Sequence, residues 1–466
     1  MSIQASPVDA ALHHAESKLK NTLRDLADAV RIPSVSAELP PSAAVEQSAA
    51  FMAAWMKRIG LDSVEVLSLP DVHPYVFGEW TRATGAPTAL IYAHHDVQPP
   101  GRPEFWKSPP FEPEVRGGRF YGRGSVDDKA GAAIHFAAIE AYLQTGGLPL
   151  NLKVLIDGEE EIGSAHLEAF LEKHRERVQA DVIILTDTAN LSAGLPSLTY
   201  ALRGIVVVDV EVQAIDHPLH SGMWGGPVPD SAMALSKILS RLVDDDGVLC
   251  IPGIYDRVRP ISADERQRLQ ELPFHEPTFR DEAGMLAGVE MSGEKSYSIY
   301  ERIWRRPSLA ISALEAAPLK GASNQIVSSA RARVGIRTVP DMDGTEVANL
   351  LERALQRDPP WAARVTTQVR SAGGWWMTDP QGPAYDAACR ALKSGFGVDP
   401  VFIGCGGSIP FVEPFSRVLG GAKALLLGLE DPTCNAHSEN ESLHLDDFRK
   451  ALFSAIHLYD ELARAL

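Results

Sequence analysis

The order of apolar and polar positions divides this chain into stretches of different period. Leu12, Ala15, Leu19, Leu23, Leu26 and Val30 recur at spacings of three and four, which predicts an opening helix, and Pro33 ends the run. A second helix is predicted over roughly 44–59, closed by Gly60. Four short runs, 89–92, 152–156, 182–185 and 424–427, are apolar almost without interruption. Strands buried on both faces read this way. Helical stretches at 130–144 and 165–175 lie between the first three runs. The alternation predicts a mostly parallel, doubly wound α/β core.

Near Arg203 the period changes. Residues 205–212 read IVVVDVEV and 330–339 read ARARVGIRTV, both alternating by two, with a helical stretch over 231–243 between them. Such strands keep one face wet and suit an antiparallel sheet covered by helices on the other. An α+β domain inserted into the α/β domain accounts for this. The expected division is 1–202 and 378–466 for the outer domain and 203–377 for the insert. The Pro-rich stretch 99–113 is expected to be a surface loop near the site.

Composition narrows the function classes. A chain of 466 residues needs more than one core. Its net charge of −17 argues against nucleic-acid binding, which needs a basic surface. No apolar run approaches the length of a membrane span, and the N-terminus lacks the core of a signal peptide. Cys250, Cys389, Cys405 and Cys434 are far apart and form no CxxC pair, so they are expected to be free thiols of a cytoplasmic protein.

Metal-ligating side chains follow the buried runs. His94 comes after the first, within YAHHDVQP. Asp96 stands two residues on, so on an extended segment it faces the same way and can fix the tautomer of His94. His95 is expected to point away. Asp127 and Asp128 precede a helix; one of them is explained as its N-cap. Two adjacent carboxylates call for a positive neighbour, either Lys129 or a metal. Glu159, Glu160 and Glu161 follow the second run, Asp187 ends the third, and His437 follows the fourth. In open α/β sheets, sites gather beyond the carboxyl ends of the strands. Two imidazoles and three carboxylates, with Glu160 spare as a base, point to metal-assisted hydrolysis. Two divalent ions would be neutralised by three carboxylates and one hydroxide, one carboxylate bridging.

The motifs YAHHDVQP, YGRGSVDDKAG, DGEEEIGS, HSGMWGG, GIRTVPD, GGSIPF and NAHSENE, in this order, resemble the co-catalytic zinc peptidases that include carnosinases and cytosolic nonspecific dipeptidases. Aminoacylases, glutamate carboxypeptidases and succinyl-diaminopimelate desuccinylase are similar. The resemblance covers nearly the whole chain and is nearest to the dipeptidase branch. It implies that Asp127 bridges two Zn2+ ions (Mn2+ or Co2+ being alternatives). His94 and Asp187 would complete one site, Glu161 and His437 the other. Glu160 would be the general base that activates the metal-bridging water, and Asp96 would orient His94. An Asp127–Asp128 cis peptide is implied as well. The insert becomes a lid and dimerisation domain. From it His220 would stabilise the oxyanion, reaching the site of the partner in a homodimer. Arg337 would grip the substrate carboxylate, with Asn324, Gly406, Gly407 and Ser408 also contacting substrate. The implied reaction is hydrolysis of dipeptides with a free C-terminal carboxylate. An N-acyl amino acid deacylase or desuccinylase-type amidohydrolase would use the same mechanism.

Four positions depart from the branch. Gly404 and Cys405 stand where the dipeptidases usually carry Arg-Glu, Pro218 where they carry Asp, and Glu439 where Gln or Pro is common. None is a proposed ligand, and all lie beside substrate-contacting segments.

Overall fold

The computed structural model describes residues 6–37, 42–68, 72–407 and 412–466. These fall into two compact units: 1–200, 379–403 and 411–466 in the first, 201–378 and 404–410 in the second.

The first unit is built on one sheet. Strands Asn151–Asp157, Thr88–His94, Val182–Ala189 and Lys423–Glu430 lie side by side and parallel. Antiparallel strands flank them: Tyr75–Trp80 and then Asp62–Leu67 on one side, Ser197–Leu202 on the other. The sheet is therefore mixed, with its parallel part confined to the four apolar runs. Both faces of these strands are covered. Ala89, Ile91 and Ala93 enter the main core, while Tyr92 packs edge-on against Phe415, ring centroids 5.4 Å apart. Helix Lys129–Thr145 is buried nearly all round because its sequence, KAGAAIHFAAIEAYLQT, is apolar on every side. It packs on helices Pro7–Val30 and Leu445–Ala465. The two N-terminal helices form where the spacing predicts. Helix Pro7–Val30 has a capping box from Ser6 and Asp9, and helix Ala43–Ile59 ends at Gly60 with φ +100°.

The second unit holds a four-stranded antiparallel sheet in the order Ser308–Glu315, Ser329–Thr338, Gly204–Gln213, Arg364–Ala372. Along Gly204–Gln213, Val206, Val208, Val210 and Val212 are buried. Helices Ser231–Ser240 and Gly344–Gln356 pack on this strand. Each such valine contributes about 1.5–3 kcal/mol. The intervening positions carry Asp209 and Glu211 on the wet face.

Candidate metal centre

His94 is the last residue of its strand and is wholly buried. Its Nε2 lies 3.0 Å from one oxygen of Asp127 and 3.8 Å from Asp187. The other oxygen of Asp127 lies 2.8 Å from Nε2 of His437, which is also 3.2 Å from Glu161. Two donor triads result, His94–Asp127–Asp187 and Asp127–Glu161–His437. They share Asp127, one oxygen turned to each. All five residues belong to the first unit. Glu160 supplies a donor atom to neither triad.

The local backbone explains the placement. Glu160 and Glu161 sit in a single tight turn, Glu160–Ile162, directly after strand Asn151–Asp157. Their backbone N–H groups donate to the two oxygens of Asp96, at 3.3 and 3.1 Å. Asp96 thus does more than face His94. It joins that strand end to the next and also accepts the Ser36 hydroxyl at 2.6 Å. Nδ1 of His94 donates to the backbone carbonyl of Asp96 at 3.1 Å, the carboxylate lying 3.4 Å away. Asp187 lies inside its strand, which runs on to Ala189. His437 occupies a left-handed turn, φ +61°.

Two expectations about neighbours, Lys129 as a candidate counter-ion and an aspartate as the helix N-cap, need correction, while the cis peptide and the turning away of His95 are as expected. Lys129 does not face the aspartates: its Nζ donates to the carbonyls of Ala29 and Ile32, both at 2.9 Å. Asp128 holds the N-cap position but caps nothing; one oxygen accepts the His94 N–H at 3.3 Å, and the other has no hydrogen-bond partner among the described residues. The Asp127–Asp128 peptide is cis. His95 is buried and points elsewhere, Nε2 donating to the Pro74 carbonyl at 2.9 Å. Glu159 is structural, accepting from Tyr75 and from the N–H and ring of His166.

The donor set fits divalent cations. Among the described residues, the ion-pair partners of Asp127, Glu161 and Asp187 are histidines alone. Burial pushes the carboxyls of Glu160, Glu161, Asp187 and Asp128 up. Burial acts on Asp127 too, but hydrogen bonds from His437 and His94 overcome it and hold that group well below the usual carboxylate range. Buried carboxylates at this density are costly without positive charge, and oxygen with imidazole nitrogen is the ligand mixture for zinc, manganese or cobalt.

Supporting residues were not legible as such. Gln98 donates its backbone N–H and its side-chain amide to the two oxygens of Glu161, at 2.9 and 2.8 Å. Glu441 is wholly buried; it accepts from Arg123 at 2.6 Å, from the N–H of Gly124 and Val126 at 3.0 Å, and from Asp127 at 3.3 Å. It ties the His437 loop to the Asp127 turn. The only signal was proximity to the motifs: Gln98 ends HHDVQ and Glu441 ends NAHSENE.

The remaining expected residues belong to the second unit. His220 is exposed, its Nδ1 accepting the Gly222 N–H at 3.1 Å. Asn324 stands beside it: its carbonyl accepts the Ser221 N–H at 2.9 Å, and Gln325 pairs with His220. Arg337 is half-buried on the sheet, and burial lowers its pKa. Gly406 accepts from Arg203, and the Gly407 N–H donates to Cys405 Sγ at 3.3 Å. Ser408 lies outside the described residues.

Comparison with known proteins follows the same lines. A model of peptidase family M20/M25/M40 matches residues 90–459. Cysteinylglycine-S-conjugate dipeptidase of Corynebacterium striatum is 31% identical over 400 residues, covering 85% of this chain and 86% of that one. Human beta-Ala-His dipeptidase is 30% identical over 387 residues, 81% of this chain and 75% of that one. Among solved structures, the di-peptidase Dug1p from Saccharomyces cerevisiae superposes with a TM-score of 0.87 at 27% identity, covering 98% of each chain. Human carnosine dipeptidase 1 gives 0.86 at 26%, covering 99% of each.

Proposed function

The chain belongs to peptidase family M20/M25/M40, and from that premise we propose that it hydrolyses the amide bond of dipeptides bearing a free C-terminal carboxylate. The observation that carries this reading is the pair of donor triads divided between the two oxygens of Asp127, with Glu160 alongside and outside both. His94, Asp127 and Asp187 would hold one divalent ion, and Asp127, Glu161 and His437 a second, zinc first, with manganese or cobalt as alternatives. When bound, such ions polarise a carbonyl and bring the pKa of water toward about 7.

The chain's own groups do the rest. Glu160 takes a proton from the attacking water as its oxygen bonds to the carbonyl carbon. It returns that proton to the amide nitrogen as the C–N bond breaks. Asp96 fixes the His94 ring and the backbone of Glu160 and Glu161. Gln98 holds the Glu161 carboxylate. His220 stabilises the carbonyl oxygen as it gains charge. Arg337 anchors the C-terminal carboxylate through its planar fork. Asn324, Gly407 and Ser408 complete the substrate contacts. A homodimer, in which His220 serves the partner's site, and a cytoplasmic location with four free thiols belong to the same proposal.

The test is a mass-spectrometric screen of metal-loaded enzyme against pooled dipeptides and N-acyl amino acids. Cys-Gly and β-Ala-His, the substrates in the relatives' names, come first. Dipeptide cleavage that is lost in Glu160→Ala, with both metals retained, is the expected result. Cleavage of acylated amino acids alone would move the chain to the deacylases. Near-normal turnover by Glu160→Ala would refute the assigned base.

A further inference from the structure

At one end of the sheet in the second unit, two guanidinium groups are held side by side. Arg337 on strand Ser329–Thr338 stands between Ser308 on one neighbouring strand and Ile205 on the other. Arg203 lies two residues before Ile205. Its side chain reaches across to Ser308, Nη1 donating to the hydroxyl at 3.1 Å, so it passes beside Arg337. Nε of Arg203 donates to the Gly406 carbonyl at 3.3 Å, and a Cβ at Gly406 would stand 3.1 Å from Nη2. The Arg203 N–H donates to the Cys405 carbonyl at 3.3 Å.

Every one of these acceptors is neutral. Among the described residues, Arg203 forms an ion pair with no carboxylate. The thiol of Cys405 lies beside both arginines, at the position where the dipeptidase branch usually carries glutamate. Burial first, and then the charge of Arg337, bring Arg203 down to about 10. Two like charges in a half-buried nook repel, and the repulsion is relieved when an anion enters.

We propose that Arg203 is a second anion-reading residue beside Arg337, and that the enzyme therefore prefers dipeptides whose C-terminal residue is itself acidic, aspartate or glutamate. This rests on the dipeptidase reading, in which Arg337 takes the α-carboxylate. Arg203 then takes the side-chain carboxylate. The Gly406–Gly407 turn leaves room, since glycine there places no side chain against the guanidinium. Placing glutamate at 405 would supply an internal anion and fill the second position from within.

The experiment compares kcat/KM for Ala-Glu with that for the isosteric Ala-Gln, and for Ala-Asp with Ala-Asn. The native enzyme should favour the acidic member of each pair by about tenfold or more, as a charge-assisted hydrogen bond allows. Cys405→Glu and Arg203→Met should each bring the ratio near one, and Cys405→Ser should leave it unchanged. Calorimetric binding of free L-glutamate against L-glutamine to the metal-loaded native and Cys405→Glu proteins reads the same discrimination without turnover. Dipeptide cleavage with no preference within either pair overturns the proposal and leaves the dipeptidase reading intact. If no dipeptide is cleaved, that reading fails, and the binding measurement still decides: equal affinity for glutamate and glutamine overturns the second anion site. Preference that survives Cys405→Glu overturns it as well.

Discussion

Asp187 and Asp209 are both aspartates within strands, one in each unit, and their surroundings are opposite. The Asp187 side chain is only 7% exposed, its ion-pair partner among the described residues is the His94 imidazole 3.8 Å away, and burial pushes its pKa up. Asp209 lies on the wet face of its sheet between Arg333 and Arg370, each with a nitrogen 2.7 Å from it. Hydrogen bonding from Arg333 leads in holding that carboxyl down to about 2. The second unit neutralises its sheet-face acids with its own arginines and needs nothing else. The first unit gathers acids that its own side chains leave under-compensated, and such surplus charge marks a place for ions.

The sharpest way to break this comparison is to withdraw divalent ions. Chelation should lower the melting temperature of the whole protein and abolish hydrolysis, with both restored by reloading. Each site contributes about 4 kcal/mol when free metal exceeds its Kd about 1,000-fold. Scanning calorimetry with and without chelator checks this; an unchanged melting temperature would mean the acid cluster is self-sufficient, as in the second unit.

Glu441→Gln comes next. It removes the charge facing buried Arg123 and loosens the Asp127 turn, so it should cost about 3–5 kcal/mol in urea unfolding and weaken metal binding. A loss below 1 kcal/mol would show that the pair is not a structural tie.

His135 gives a pH-dependent test. It is buried between the Tyr459 hydroxyl and the Thr186 hydroxyl, each at 2.8 Å, and burial pushes it down to about 3. Below its ordinary value of 6.5 the unfolded chain binds a proton that the folded chain does not. Stability is thus lost as pH falls from there toward 3, by about 1.4 kcal/mol per pH unit. His135→Gln should remove this slope, narrowing the stability gap to native by about 2 kcal/mol between pH 7 and about 5. A gap that stays constant would contradict the assignment of a neutral buried imidazole.

The smallest effect belongs to Asp209→Asn. This partly exposed ion pair is screened by solvent, so its loss should cost under about 1 kcal/mol and leave metal content unchanged.

Four of the five proposed ligands, His94, Glu161, Asp187 and His437, were legible because each comes after an apolar run that reads as a buried strand, although Asp187 lies inside its strand and not at its end; Asp127 was legible from its place just before a helix. Asp96 was legible from its spacing to His94, but its hold on Glu160 and Glu161 was not, since that contact joins two strands 64 and 65 residues apart in sequence. Lys129 shows the converse. Adjacency in sequence made it one of two candidates, with a metal, for the positive neighbour of the aspartates, whereas the helix start turns its side chain toward the end of helix Pro7–Val30.

Sequence by itself determined the two kinds of sheet, because the period of burial is written in the order of side chains: unbroken apolar runs for strands covered on both faces, alternation for strands with a wet face. It also determined which residue types could bind metal. Only the tertiary structure decided which acids stand in the two donor triads and which support them. That distinction depends on which carboxylate oxygen meets an imidazole and which meets a backbone N–H, and those partners lie tens to hundreds of residues away along the chain.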